Sequence, residues 1–247
     1  MCGRYALTLG PRDIQDLYAV LAEIEDFPPR YNIAPTQPVL AVWQEAGRRV
    51  ARLVRWGLVP GWVKDPREFP LLINARAETM MDKPAFRNSV RNQRCIVPAS
   101  GYYEWRTAPG GAKTPFYIAF ADGAPMSLAG LLSTWVGPNG EEVDTVALVT
   151  TDANAELTAI HNRMPAILEG ESMELWLDTA HVESRGARAL AQPLEPGRLA
   201  FHPVATRVNS ARNDGPDLIA PVADTPPEPP AAPAKGKDRV EDQLDLF

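Results

Sequence analysis

The feature that most restricts the fold is a series of short apolar, β-branched runs at residues 38–43, 50–56, 95–98, 115–120, 126–132, 145–150 and 199–204. None is long enough for a core helix, and turn-forming or charged residues separate them, so each reads as a strand. Helical periodicity is sparser. Residues 11–24 place Ile14, Leu17, Tyr18 and Leu21 at i, i+3, i+4 and i+7 behind Pro11, which predicts a first helix. Further helices are expected at 152–160, with Asp152 as N-cap, and at 172–177 and 182–190. The strands do not alternate with helices as in a doubly wound parallel sheet. The expectation is an α+β fold: one domain, residues 1–221, of largely antiparallel, curved or barrel-like β-sheets with flanking helices.

Composition bounds the function. The 247 residues are 45% hydrophobic, ordinary for a chain with a sizeable core. No basic segment followed by an apolar run opens the chain, and no stretch approaches the roughly 18 apolar residues of a membrane span. Two cysteines, Cys2 and Cys95, give neither a disulfide framework nor a zinc spacing. A cytoplasmic protein with reduced thiols, no membrane partner and no cofactor is expected; nothing demands more than a monomer. The net charge of −6 conceals an asymmetry: twelve Arg or Lys stand against five Asp or Glu between residues 48 and 106. This local excess of +7 suits phosphate binding, or is a solvated face paired with acids from elsewhere.

After residue 221 the composition changes. VADTPPEPPAAPAKGKDRVED, residues 222–242, lacks apolar periodicity and reads as a disordered Pro-rich linker. It leads to QLDLF, residues 243–247.

Four segments carry candidate chemistry. In MCGRY, loss of Met1 would put an α-amine and a thiol on one residue, Cys2. Their ordinary pKa values, about 7.7–8.0 and about 8.5, leave reactive fractions of both near neutrality. The amine can form an imine with an aldehyde, and the thiol can then close a five-membered thiazolidine. The alternative is a Cys tucked under the first strand. In LINARAET, Asn74 could orient a substrate and Arg76 hold a phosphate, or the segment is simply a strand end and a turn. In SGYYEW, Glu104 is the sole acid of residues 83–121 and is flanked by aromatics. Desolvation there would raise its pKa toward a general acid–base range; the alternative is an exposed strand Glu. In AIHNRMP, His161 suits proton transfer near pH 7, or interacts with a helix C-terminus. Cys95 reads as core packing, His202 as structural, and His181 has no polar constellation around it.

Taken in order, MCGRY, RYNIAPTQ, RWGLVPGWVKD, LINARAET, CIVPASGYYEW, HNRMPAIL and HPVATRVN with PDLIAP resemble the SRAP (SOS-response-associated peptidase) family of abasic-site processing proteins. The resemblance spans about residues 2–221. It implies binding of single-stranded DNA and covalent cross-linking to abasic sites through a thiazolidine on the ring-opened deoxyribose. Carried over position by position, it implies catalytic roles for Cys2, Asn74, Glu104 and His161, and DNA contacts from Arg4, Asn32, Trp62, Arg76 and Arg163. Some relatives have a second Trp where this chain has Val63, which leaves the stacking there open. The imine would permit weak lyase activity, and the peptidase name would describe loss of Met1. QLDLF resembles peptides that dock on bacterial sliding clamps, with Gln243, Leu244, Leu246 and Phe247 as contacts, which implies a place at the replication fork. Two rival readings are a thiol peptidase using Cys2 and His161, and a non-enzymatic single-strand adaptor tethered to the clamp.

Overall fold

The seven apolar runs all become strands in the computed structural model, which describes residues 2–224. In chain order the strands are β1 (Tyr5–Leu7), β2 (Arg30–Ile33), β3 (Pro38–Glu45), β4 (Arg48–Trp56), β5 (Asn74–Arg76), β6 (Arg94–Ala99), β7 (Gly101–Thr107), β8 (Lys113–Phe120), β9 (Met126–Val136), β10 (Glu142–Asp152), β11 (Arg163–Pro165), β12 (Ile167–Leu168) and β13 (Leu199–Pro203). The α-helices are α1 (Pro11–Tyr18), α2 (Arg87–Asn92), α3 (Glu171–Leu177) and α4 (Ser184–Leu190). None of the described helices is long and apolar enough to cross a membrane.

The strands form two sheets. The larger runs β11-β10-β4-β3-β6-β9-β12, and β10 also pairs with β9, so β10, β4, β3, β6 and β9 close on themselves as a barrel. Closure removes the barrel's free edges. The smaller sheet runs β13-β8-β7-β1-β2. Pairing is antiparallel except where β10 meets β4 and β5. The expected α+β, mostly antiparallel and barrel-like architecture is therefore what the chain adopts.

Ser100 alone separates β6 of the barrel from β7 of the smaller sheet. Its amide donates to the Ala6 carbonyl (2.7 Å) and its Oγ accepts from the Thr8 amide (2.8 Å), so the corner is tied to the first strand. Gly101, the next residue, lies where a Cβ would come within 2.5 Å of the Tyr117 ring. Only glycine lets β7 approach β8 so closely.

Along β7 the period of two splits YYEW between two interiors. Tyr102 packs in the main core with Cys2, Tyr5 and Trp56. Tyr103 belongs to a second cluster with Tyr117, Val204, Val208 and Leu218, and Trp105 packs against it. Both faces of the strand are covered, which carries Glu104 inside.

Two helix expectations need correction. The first helix ends at Tyr18 rather than at residue 24, because Ala19 turns left-handed (φ 51°) and its amide bonds the Gln15 carbonyl. Ile14 and Tyr18 are buried, but Leu21 is 87% exposed. The expected helix at 152–160 is absent: β10 continues to Asp152, held by pairing with β11, and one 3-10 turn, Leu157–Ala159, follows. The Thr150–Thr151 pair favours the strand. The folded part also runs slightly past residue 221. The Val222 amide donates to the Pro203 carbonyl (2.9 Å), and Asp224 pairs with Arg106 (2.6 Å). The rest of the expected linker and the 243–247 peptide lie outside the described residues.

Candidate active site

The N-terminal residues enter the molecule as an extension of β1. The Tyr103 amide donates to the Arg4 carbonyl (2.9 Å), continuing the β1–β7 ladder toward Glu104. Cys2 is fully buried in the main core. Burial, and next the negative charge of Glu104, push its thiol well above the ordinary range. The Asn74 side-chain amide reaches across from β5 and donates to the Cys2 carbonyl at 2.9 Å. The Asn74 Oδ1 is buried without a partner among the described residues.

Glu104 is 3% exposed, so the desolvated carboxylate expected from the sequence is present. Burial raises its carboxyl above the usual range, against the pull of positive groups that include His161. Glu104 and His161 line one open cleft of about 530 Å3, together with Trp105, Thr107, Lys113 and Asn209. His161 follows the 3-10 turn, and its Nδ1 accepts from the Arg163 amide (3.0 Å). In the neutral ring the proton then resides on Nε2. The elements thus converge from both sheets: Glu104 from β7, Asn74 from β5, and His161 from the turn before β11, all around or beside Cys2.

The chain matches known proteins over most of its length. The family model for SOS response associated peptidase (SRAP) matches residues 1–211. The chain belongs to the SRAP family. Among its relatives, the abasic site processing protein YoqW of Bacillus subtilis (strain 168) is 35% identical over 222 residues, covering 89% of this chain and 99% of that protein. The abasic site processing protein HMCES of Gallus gallus is 36% identical over 265 residues, covering 90% of this chain and 78% of that protein. A crystal structure of a Bacteroides thetaiotaomicron protein superposes with a TM-score of 0.80 at 26% identity, covering 90% of this chain and all of that one.

On this SRAP scaffold the expected DNA-contacting residues fall into two groups. Arg76 and Trp62 are exposed. Arg76 shares a face of β5 with Asn74, two positions away. Trp62 is 62% exposed and sets its ring edge against Phe69, centroids 5.6 Å apart. Its neighbour Val63 packs with Trp135 and Val143. Val143 lies at the other end of β10 from Thr150, roughly 23 Å away at ~3.3 Å per residue.

The other group is committed inside the protein. Arg4 donates to Asn32 Oδ1 (2.8 Å) and to the carbonyls of Val208 (2.6 Å) and Asn209 (3.0 Å). The Asn32 amide group donates to the carbonyls of Val208, Ser210 and Asn213. Together they fix the segment that carries Asn209 to the cleft. Arg163 is 8% exposed and forms two bonds with Glu78 (2.9 Å each), one with Asp152 (2.6 Å) and one with the Thr150 carbonyl (2.7 Å). A phosphate could reach these guanidinium groups only by displacing such partners.

Much of the basic segment is likewise paired: Arg49 with Glu174, Arg52 with Glu45 and Arg67 with Asp65. Arg94 is buried, donating to the carbonyls of Val90, Trp176, Asp178 and Val182. Sequence reasoning did not single out Lys113, Asn209 or Glu78. Glu78 stands in LINARAET, two residues beyond Arg76, and its acid was a signal for a partner; Lys113 and Asn209 carry no local mark. Cys95 is core packing as expected, and His202 bonds the Ile219 carbonyl through Nε2 (2.8 Å). His181, for which no partner was expected, pairs with Asp178 (2.9 Å).

Proposed function

We propose that this SRAP protein processes abasic sites in single-stranded DNA, capturing the ring-opened deoxyribose on Cys2 after Met1 is removed. The observation that carries the reading is the Asn74 bond to the Cys2 carbonyl. It grips the residue by its carbonyl side and fixes the direction of its nitrogen and sulfur, beside a carboxyl raised by burial. The names of the relatives, abasic site processing proteins, support the same substrate.

The reaction divides among these groups. His161, as the imidazolium, gives its Nε2 proton to the sugar ring oxygen as the C1′–O4′ bond breaks, and the proton of the C1′ hydroxyl returns to the vacated Nε2, leaving an aldehyde at C1′ and a hydroxyl at C4′. The Cys2 nitrogen attacks C1′, and the carbonyl π pair moves to oxygen. Glu104, entering as the protonated carboxyl that its burial favours, gives its proton to that oxygen, takes the surplus amine proton and passes it to the same oxygen, which leaves as water; the protonated imine and a Glu104 carboxylate remain. The thiol then adds to C1′ to close the thiazolidine. An imine that lingers permits β-elimination, so a weak lyase activity is proposed alongside cross-linking. A buried thiol with a raised pKa is a poor opening nucleophile. The amine therefore leads, which disfavours a thiol peptidase acting on other proteins.

Residues 1–221 are proposed as the catalytic and DNA-binding unit, and QLDLF as a sliding-clamp peptide on a tether that raises effective concentration. Deleting 243–247 should abolish clamp binding and leave cross-linking intact. The core experiment is a denaturing gel with a single-stranded oligonucleotide carrying one abasic site. A heat-stable shifted band that requires both the lesion and Cys2 is expected. A Cys2→Ala protein that cross-links equally well would overturn the reading.

A further inference from the structure

Two phenol hydroxyls around Cys2 have no assigned work. Tyr102 precedes Glu104 by two residues on β7, so the two side chains share a face of the strand. Tyr5 pairs with Tyr102 across the β1–β7 ladder, and directly opposed residues present their side chains to the same side. Both tyrosines are fully buried in the cluster that contains Cys2. Neither hydroxyl has a hydrogen-bond partner among the described residues. An unpaired buried hydroxyl is costly, and Phe would fill the same space without that cost. Two other buried tyrosines are satisfied: Tyr18 bonds Ser127 (2.9 Å) and Tyr103 donates to the Tyr31 carbonyl (2.6 Å).

We propose that the Tyr102 hydroxyl is a hydrogen-bond donor to Cys2 Sγ during ring closure, a positioning residue that orients and stabilises the thiolate. The proposal rests on the cross-linking reading above and adds the group that makes its last step feasible. In that step the protonated imine joins C1′ to the Cys2 nitrogen. The thiol gives its proton to the Glu104 carboxylate. A sulfur lone pair forms the Sγ–C1′ bond, and the C1′–N π pair moves to nitrogen, leaving a neutral ring amine. No oxidant or reductant is involved, and Tyr102 keeps its own proton.

The need for a donor follows from the burial of Cys2: sulfur must carry developing negative charge in an apolar pocket as its proton passes to Glu104. Burial also pushes the Tyr102 phenol well above its ordinary range, so it remains a donor throughout the working pH range. Tyr102 is favoured over Tyr5 because it shares a face of β7 with Glu104, the acceptor of the thiol's proton, as well as a core with Cys2.

The test compares Tyr102→Phe with the unaltered protein, both confirmed by mass to lack Met1. Three quantities are read: imine trapped by borohydride, closure to the borohydride-resistant adduct, and the pH profile of Cys2 alkylation by iodoacetamide on the N-terminal tryptic peptide. Expected are an unchanged or higher Tm, normal imine trapping, closure slowed tenfold or more, and an alkylation profile moved to higher pH. Closure at the unaltered rate with an unmoved alkylation profile would overturn the proposal. If the unaltered protein forms no adduct but Tyr102→Phe still moves the alkylation profile, the cross-linking reading fails and the donor stands.

Discussion

Replacing Arg163 by Ala distinguishes a phosphate ligand from an internal strut. The Arg163 backbone amide bonds His161 Nδ1, and the guanidinium bonds Glu78, Asp152 and the Thr150 carbonyl at 2.6–2.9 Å. Glu78 and Asp152 are 40% and 79% exposed, so each re-solvates when the cation is lost, and each pair contributes only about 0–1 kcal/mol. Thr150 is fully buried, and its carbonyl keeps the Ala77 amide (2.9 Å), so what is lost there is one hydrogen bond from a charged donor, about 1.5–3 kcal/mol. With the packing of the arginine stem included, the loss centres on about 3 kcal/mol. At about 2–4 °C per kcal/mol for a chain of this size, Tm should fall by roughly 6–12 °C. Thermal unfolding by circular dichroism measures this, and the salt dependence of oligonucleotide binding is the second readout. An internal strut predicts the Tm loss with an unchanged salt slope. An unchanged Tm, with the slope reduced by about one phosphate contact, would refute the reasoning and return Arg163 to the DNA.

Three further perturbations probe the site. Glu104→Gln should stabilise the protein at neutral pH. A carboxyl raised in the folded state opposes folding above its unfolded pKa, so the gain should vanish in acid, where both states hold the proton; urea midpoints across pH 4–8 read it, and cross-linking should fall at the same time. Asn74→Ala removes the anchor on the Cys2 carbonyl and should slow cross-linking by about 10–100-fold, as loss of orientation does, in single-turnover assays with near-normal Tm. Trp62→Ala should leave Tm unchanged and weaken single-strand binding by about 1–3 kcal/mol in fluorescence titrations if a base stacks on this exposed ring.

What the sequence discloses depends on how local the cause is. The runs at 126–132 and 145–150 read as strands because apolar, β-branched content is local, and they form the β9–β10 pair that closes the barrel. Glu104 was legible for a similar reason: an isolated acid among aromatics on a period of two is carried inward. The first helix was overextended because its apolar spacing continues to Leu21, while the left-handed turn at Ala19 leaves no such trace. Arg4, Asn32 and Arg163 show the limit most clearly. Basic and amide side chains in a nucleic-acid-binding pattern suggest phosphate ligands. Their partners here lie at sequence separations of 28 to 205 for Arg4 and Asn32, and up to 85 for Arg163, which only the folded topology brings together. The orphan hydroxyls of Tyr5 and Tyr102 were invisible for the opposite reason, since the absence of a partner is a property of the packed core alone.

The central claim is that Cys2 carries the DNA through both its nitrogen and its sulfur. Mass spectrometry of the trypsin-digested adduct with an abasic oligonucleotide, after borohydride treatment, tests it most directly. The account predicts the sugar on the peptide Cys2-Gly3-Arg4, with Met1 absent, at the sum of the two masses less one water, and with no thiol left to alkylate. A sugar on any other peptide, or on one that retains Met1, would contradict it.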